Sequence, residues 1–204
     1  RWFLSRALRR APRMSAMRSA LRGSEPRSSA HKLRGYAAAL LAGCGTTAAV
    51  VFTDGGASPN PGPCGAGATI SLCGKHQADL AQPLGHGTNN IGELWAIGMV
   101  AKYLADRPAH LLSCCALFIF SDSKLIVEAL SGEINYRREP ELLAYVQGQL
   151  ARVASLIPYS VQWTPGHCGS AGNDAADALA GAGVGLNGPA GPHSLKDLLP
   201  RDSG

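Results

Sequence analysis

Asp54 ends an apolar, β-branched run (Val50, Val51, Phe52, Thr53) and is followed at once by GGASPNPGP. Apolar runs bounded by Gly, Pro and Asn read as strands entering turns. A carboxylate at the end of a buried strand is expensive unless a cation or a metal compensates its charge. If Asp54 is a metal ligand, further carboxylates belong at the ends of other elements, and three later stretches meet that test. Asp122 follows the apolar run 115–120 and precedes a helix, at the carboxyl end of a core strand where ligands of open α/β sheets gather. Its ordinary reading is a helix N-cap. Glu93 falls in the first turn of an apolar helix, where an acid also favours the helix dipole. His167 stands in the glycine-rich stretch PGHCGSAGND, and Asn173 and Asp177 fall one turn apart on one helix face.

The elements that must position these residues follow from the pattern. Residues 46–53 read as a first strand. Residues 64–73 and 75–84 read as two antiparallel strands joined by a tight turn at Gly74–Lys75. After the loop GHGTNN, apolar spacing from Ile91 predicts a mostly buried helix capped by Asn89 or Asn90. The run 115–120 suits a strand buried on both faces, and a helix over 124–130 follows, capped by Ser121 or Asp122. A helix over 141–156, a short strand over 159–164 and a last helix from Ala171 or Gly172 complete the order β-β-β-α-β-α-α-β-α.

The chain has 204 residues, suited to one domain plus extra sequence, and its hydrophobic content of 46% is enough for a core. Its pI of about 9.0 and net charge of +5 are unevenly placed. Residues 1–53 carry nine Arg and one Lys against Glu25, a net +9, and residues 54–204 carry −4. By charge alone the folded part is no polyanion binder. The basic, Ser-rich residues 1–34 match an organelle transit peptide, or a linker from a longer polypeptide. Import would place the protein in a mitochondrion or plastid, and otherwise in the cytoplasm or nucleus. Residues 35–52 are uncharged enough to flag a membrane span, but their glycines, Thr46–Thr47 and the need for a core strand argue against insertion. The six cysteines show no metal-type spacing, and their apolar neighbours suggest free thiols in a reducing compartment.

Four stretches, TDGGASPNPGPCGAG, GTNNIGELWAI, FSDSKLIVEAL and TPGHCGSAGNDAADALA, occur in order and in register with these elements. Together they resemble type 1 ribonuclease H, of the kind lacking a basic protrusion, over two thirds of the chain. The resemblance implies an α/β ribonuclease H-like fold. Its five-stranded mixed sheet has three antiparallel strands plus two parallel ones, with helices on both faces. It divides the chain into a basic extension (1–43), a ribonuclease H domain (44–183) and a Gly/Pro-containing tail (184–204). It implies endonucleolytic hydrolysis of the RNA strand of RNA–DNA hybrids, leaving 5′-phosphates. Asp54, Glu93, Asp122 and Asp177 match the four metal-binding acids, and His167 matches the loop histidine that assists proton movement and product departure. Asp177 rather than Asp174 takes the last place because it opens the ADALA segment.

Four converging carboxylates repel one another unless divalent cations bind. Two Mg²⁺ ions about 3.5–4 Å apart suit an in-line displacement, with Mn²⁺ as substitute. The resemblance also implies substrate contacts. Gly55, Gly56, Asn60, Asn89 and Asn90 would read sugars and base edges in an A-like minor groove, and Thr88 part of a phosphate pocket. Asn173 joins the substrate-binding set. In place of the basic protrusion stands GEINYRREP, so Lys124, Arg137 and Arg138 are the expected phosphate contacts, with weak, salt-sensitive binding. The partner is then the hybrid, the protein a monomer off the membrane, and the extension a contact for nucleic acid or import machinery. The competing expectation is a non-catalytic nucleic-acid-binding domain, or a fragment of a retroelement reverse-transcriptase polyprotein.

Overall fold

The structure is a computed structural model and describes residues 44, 47–166, 170–185 and 199. The expectations for residues 1–43, for His167 and for most of the C-terminal tail lie outside the described residues.

Three antiparallel strands come first: β1 (Ala49–Ala57), β2 (Gly62–Leu72) and β3 (Lys75–Gly87). They are followed by α1 (Asn89–Ala105), a short 3-10 turn (Pro108–Leu111), β4 (Leu117–Ser121), α2 (Lys124–Ser131), α3 (Pro140–Ala154), β5 (Tyr159–Trp163) and α4 (Ala171–Gly185). The element order is the expected one, and the single sheet runs β3-β2-β1-β4-β5. β2 and β3 pair antiparallel, β1 pairs antiparallel with β2 and parallel with β4, and β4 pairs parallel with β5.

The two faces of the sheet are built differently. One carries Ala49, Val51, Ala66, Ala68, Ile70, Leu117 and Ile119, packed with Leu94, Ile97, Val100 and Leu104 of α1 and Leu142 and Val146 of α3. Alternation along β2 turns Gly65 and Gly67 to the other face. There α4 lies almost on the strand backbone: a Cβ on Gly67 would come 2.2 Å from the Ala180 nitrogen, and one on Gly65 2.4 Å from that of Val184. The matching surface of α4 is Asn173, Ala176, Ala180 and Gly183, all buried. Helices therefore cover both faces.

Several boundaries differ from the sequence reading. β1 begins at Ala49 and runs through Asp54 to Ala57, because its end keeps pairing with β2 (Asp54 with Gly67, Ala57 with Cys64). β3 likewise absorbs Gly85, His86 and Gly87 through pairing with β2, leaving Thr88 as the link to α1. Thr88, not Asn89 or Asn90, is the N-cap, and its Oγ1 accepts from the Ile91 amide at 3.4 Å. Ser123 caps α2 in place of Ser121 or Asp122. The β2–β3 turn is Cys73–Gly74, both with positive φ (51° and 75°). α4 continues through Gly185, two residues past the expected boundary.

The expectation of free thiols fails at one pair: Cys44 and Cys115 form a disulfide, Cα to Cα 6.2 Å. The residues leading into β1 run beside those leading into β4, with Cys115 N donating to Thr47 O and Ala49 N to Ala116 O. Seventy-one residues separate the partners, so no spacing pattern announces them. No helix among the described residues is long and apolar enough to cross a membrane.

Candidate active site

Register places two of the acids. Thr53 of β1 pairs with Ser121 of β4, the last parallel pair between these strands. The next residue along each chain segment is an aspartate, so Asp54, within β1, and Asp122, just past β4, stand side by side where the pairing of these two central strands ends. The third acid comes from α1. Glu93 is the fifth residue of that helix, past a first turn that contains no acid, so the dipole reading of Glu93 falls away. It reaches the strand ends because β1 and α1 touch through glycines. A Cβ on Gly55 would sit 1.9 Å from the Gly92 carbonyl carbon, and one on Gly92 2.8 Å from the Gly56 nitrogen.

Asp54, Glu93 and Asp122 thus bring one carboxylate oxygen each to within 4.8 Å of one another. Asp54 and Glu93 are nearly buried, at 8% and 9% exposure. Burial pushes the Asp54 carboxyl up to about 6, reinforced by the charges of Asp122 and Asp177, although the Gly55 amide donates to its Oδ1 at 2.8 Å and opposes the rise. Burial, then the charges of Asp54 and Asp122, hold Glu93 well above the usual carboxylate range. Ser121 Oγ opposes that by donating to Glu93 Oε2 at 3.3 Å, and it accepts from the Ser123 amide at 3.1 Å. Trp163 Nε1 donates to the Asp122 carbonyl at 2.9 Å. Gly166 leaves room for the Asp122 side chain, since a Cβ there would lie 2.5 Å from Oδ2.

The three acids open onto a cavity of about 580 Å³. Asp177, exposed on α4, lines it too, as do Gly55, Gly56 and Asn89. Asp174 is an exposed residue of the first turn of α4. The other expected residues stand elsewhere. Asn60 is exposed, and its Oδ1 accepts from the Asn89 amide at 3.3 Å, while Asn89 Oδ1 accepts from the Ala57 amide at 2.8 Å. These bonds tie the β1–β2 loop to the start of α1. Thr88 and Asn90 lie at that helix start, outside the cavity lining. Lys124 is exposed and pairs with Glu128 at 3.5 Å. Arg137 and Arg138 are exposed on the link before α3. Asn173 is 1% exposed, so it offers nothing to a substrate directly; its Nδ2 lies 3.5 Å from Asp122 Oδ2.

Sequence reading missed Ser121 as the partner of Glu93, and it placed Gly55 and Gly56 in a turn where they are part of β1. The signal for the glycines was present in the coincidence of Gly55 beside Asp54 with Gly92 beside Glu93. Nothing local to Ser121 revealed its hydroxyl's partner, which lies 28 residues away.

The donor set fits a divalent cation. Its oxygens are hard ligands, they are close enough to share an ion, and they resist ionising together without one.

Fold and site together define an α/β protein with an acidic centre suited to a divalent cation, set where the pairing of its two central parallel strands ends. The RNase H family profile matches residues 46–185, and the chain belongs to the ribonuclease H family. It is 34% identical over 144 residues to the ribonuclease H of Pelobacter propionicus, covering 66% of this chain and 83% of that protein. The structure of LC11-RNase H1, isolated from compost, matches with a TM-score of 0.57 and 26% identity, over 68% of this chain and 96% of that one. A structure of LC11-RNase H1 in complex with an RNA/DNA hybrid matches with a TM-score of 0.54 and 22% identity, over 66% and 97% of the two chains, a likeness of fold. By enzyme class the chain is a ribonuclease H.

Proposed function

We propose that this chain is an endonuclease that hydrolyses the RNA strand of RNA–DNA hybrids, with two Mg²⁺ ions held by Asp54, Glu93, Asp122 and Asp177. The observation that carries the reading is the set of three clustered carboxylates opening, with Asp177, onto one cavity. Ions held there would supply Lewis-acid activation of water and neutralise charge on the phosphodiester, and Mn²⁺ would substitute. Asp54 and Glu93, nearly buried, fix the floor of the site, and Asp177 on its exposed rim completes the donor set. Ser121 keeps the Glu93 carboxylate oriented.

The backbone of Gly55 and Gly56 and the side chain of Asn89 line the same cavity, where they would meet the 2′-hydroxyls of an A-like minor groove. His167 moves protons at the scissile phosphate and assists product departure. Lys124, Arg137 and Arg138 carry the phosphate contacts, and residues 1–43 serve import or add nucleic-acid affinity. The hybrid bound by LC11-RNase H1 supports this choice of substrate.

The test is incubation of the chain with a labelled RNA–DNA hybrid and Mg²⁺, beside Asp122→Asn and matched RNA and DNA duplexes. Cleavage of the RNA strand of the hybrid alone, lost in the variant, is the expected result. Hybrid binding without cleavage in either Mg²⁺ or Mn²⁺ would replace the nuclease with a binding domain.

A further inference from the structure

Four cysteines meet at the end of the sheet opposite the carboxylates. Cys115 stands just before β4 and is bonded to Cys44. Its neighbour Cys114 faces a different cysteine: its Sγ lies 3.6 Å from that of Cys73, in the β2–β3 turn. Both of these thiols are half-buried. Cys73 is held in place by its amide, which donates to Ala48 O at 3.0 Å, and its Sγ also lies 3.5 Å from Ser113 O.

The backbone at Cys73 is unusual. It is the single non-glycine residue with positive φ among the described residues, at 51°, with Gly74 at 75°. Two-residue hairpin turns of this kind favour Asn, Asp or Gly at both positions, because a Cβ in the left-handed region is strained. A cysteine at that position gives up turn stability, and what the fold obtains in return is a thiol aimed at Cys114. Two independent observations, the sulfur contact and the strained turn, therefore point at one pair.

We propose that Cys73 and Cys114 are a redox-active dithiol that closes to a second disulfide, binding the β2–β3 turn to the loop before β4 beside the Cys44–Cys115 bond. The co-reactant is a small-molecule disulfide of the glutathione type. The Cys73 thiolate attacks one sulfur of that disulfide, forming a mixed disulfide and expelling one thiolate. The Cys114 thiolate then attacks the Cys73 sulfur, forming the Cys73–Cys114 bond and expelling the second. The two protons from the protein thiols go to the two expelled thiolates, and the two electrons leave with them as two small thiols. The sulfurs must approach from 3.6 Å to a bond of about 2.05 Å, a movement within reach of a turn and a loop.

The closed bond spans 41 residues and lies far from the acids, so it acts on stability and not on cleavage. The experiment titrates the full chain with glutathione redox buffers, maps disulfide-linked peptides by mass spectrometry and follows melting temperature and hybrid cleavage. Expected are a Cys73–Cys114 linked peptide that accumulates with oxidant, a melting temperature raised by about 5 °C or more, and a cleavage rate changed less than twofold. Cys114→Ser should abolish both the linked peptide and the shift. Cys73→Asn should raise the melting temperature of the reduced protein by relieving the turn, and remove the response to oxidant. Cys73 recovered only as a glutathione adduct, or linked to Cys44 or Cys115 in its place, would overturn the proposal.

Discussion

Gly55 of β1 and Gly92 of α1 meet backbone to backbone, so close that a Cβ on Gly55 would fall 1.9 Å from the Gly92 carbonyl carbon. Their chain neighbours are Asp54 and Glu93. The gap between a strand and a helix therefore helps set the gap between two carboxylates.

Gly55→Ala should push α1 from β1, cost about 2–3 kcal/mol of stability and lower hybrid cleavage at least tenfold. Gly56→Ala is the control for stability, since nothing lies within 4 Å of its would-be Cβ. Thermal unfolding and initial rates of the two variants check the contrast.

Asp54→Asn should abolish cleavage and stabilise the metal-free protein by on the order of 2 kcal/mol at neutral pH. The carboxylate it removes is disfavoured by burial and by the charges of Asp122 and Asp177. Denaturant unfolding in chelator gives the stability, and a variant less stable than the parent would remove the argument.

The same groups fix a pH dependence. Asp54 ionises near 3.8 in an unfolded chain and at about 6 in the fold, so the folded state holds the extra proton between those values. Stability of the metal-free protein should fall as pH rises from about 4 through 6, and continue to fall as Glu93 ionises at higher pH. Asp106 runs the other way: its hydrogen bonds from Lys102 and Arg152 hold it at about 2, so its contribution is lost only below 3.8. Melting temperatures in chelator should therefore be higher at pH 5 than at pH 7.5. Added divalent cation should stabilise more at pH 7.5, where fewer protons compete for the carboxylates.

Ser121→Ala removes the one side-chain donor to Glu93 whose effect opposes the rise in its pKa. The pH at which divalent cation binding is half-maximal should move upward, with a stability loss of about 1 kcal/mol. Calorimetric titration of Mn²⁺ across pH reads the shift. An unmoved profile would mean that Ser121 serves packing alone.

Charge reversal at Lys124, Arg137 and Arg138 together should weaken hybrid binding and flatten its salt dependence, by roughly 0.7–0.9 in log–log slope for each phosphate no longer neutralised. All three are exposed and none lines the cavity, so the cleavage rate at saturating hybrid should change little. A dissociation constant that does not move assigns phosphate binding to other residues.

What was legible in the sequence was what a strand or helix writes locally. The apolar runs before Asp54 and Asp122 gave two strands that each lead into an aspartate, and helical spacing around Glu93 gave the third element. Long-range pairing was not legible. β1 runs on through Asp54 because β2 continues to pair with it, and a glycine-rich segment looks like a turn whether or not a partner strand lies beside it. The cap of α1 fell to Thr88 because pairing carried β3 through Gly87. Cys44 and Cys115 were unreadable for a similar reason, since only the parallel course of two incoming segments brings them together. Gly65 and Gly67 showed a strand of small residues without showing that a helix rests on its backbone.

That bare face of β2 has a consequence for the order in which the molecule comes into being on the ribosome. Asp54, Glu93 and Asp122 have all been added before translation reaches α4, which brings Asp177 and the only cover for Gly65 and Gly67 among the described elements. Until then the growing chain carries a sheet with one side of β2 unclad and a cavity that lacks Asp177 from its lining. The same helix supplies both, so a nascent chain stalled before α4 lacks the cover of β2 and, under the proposed function, its fourth carboxylate.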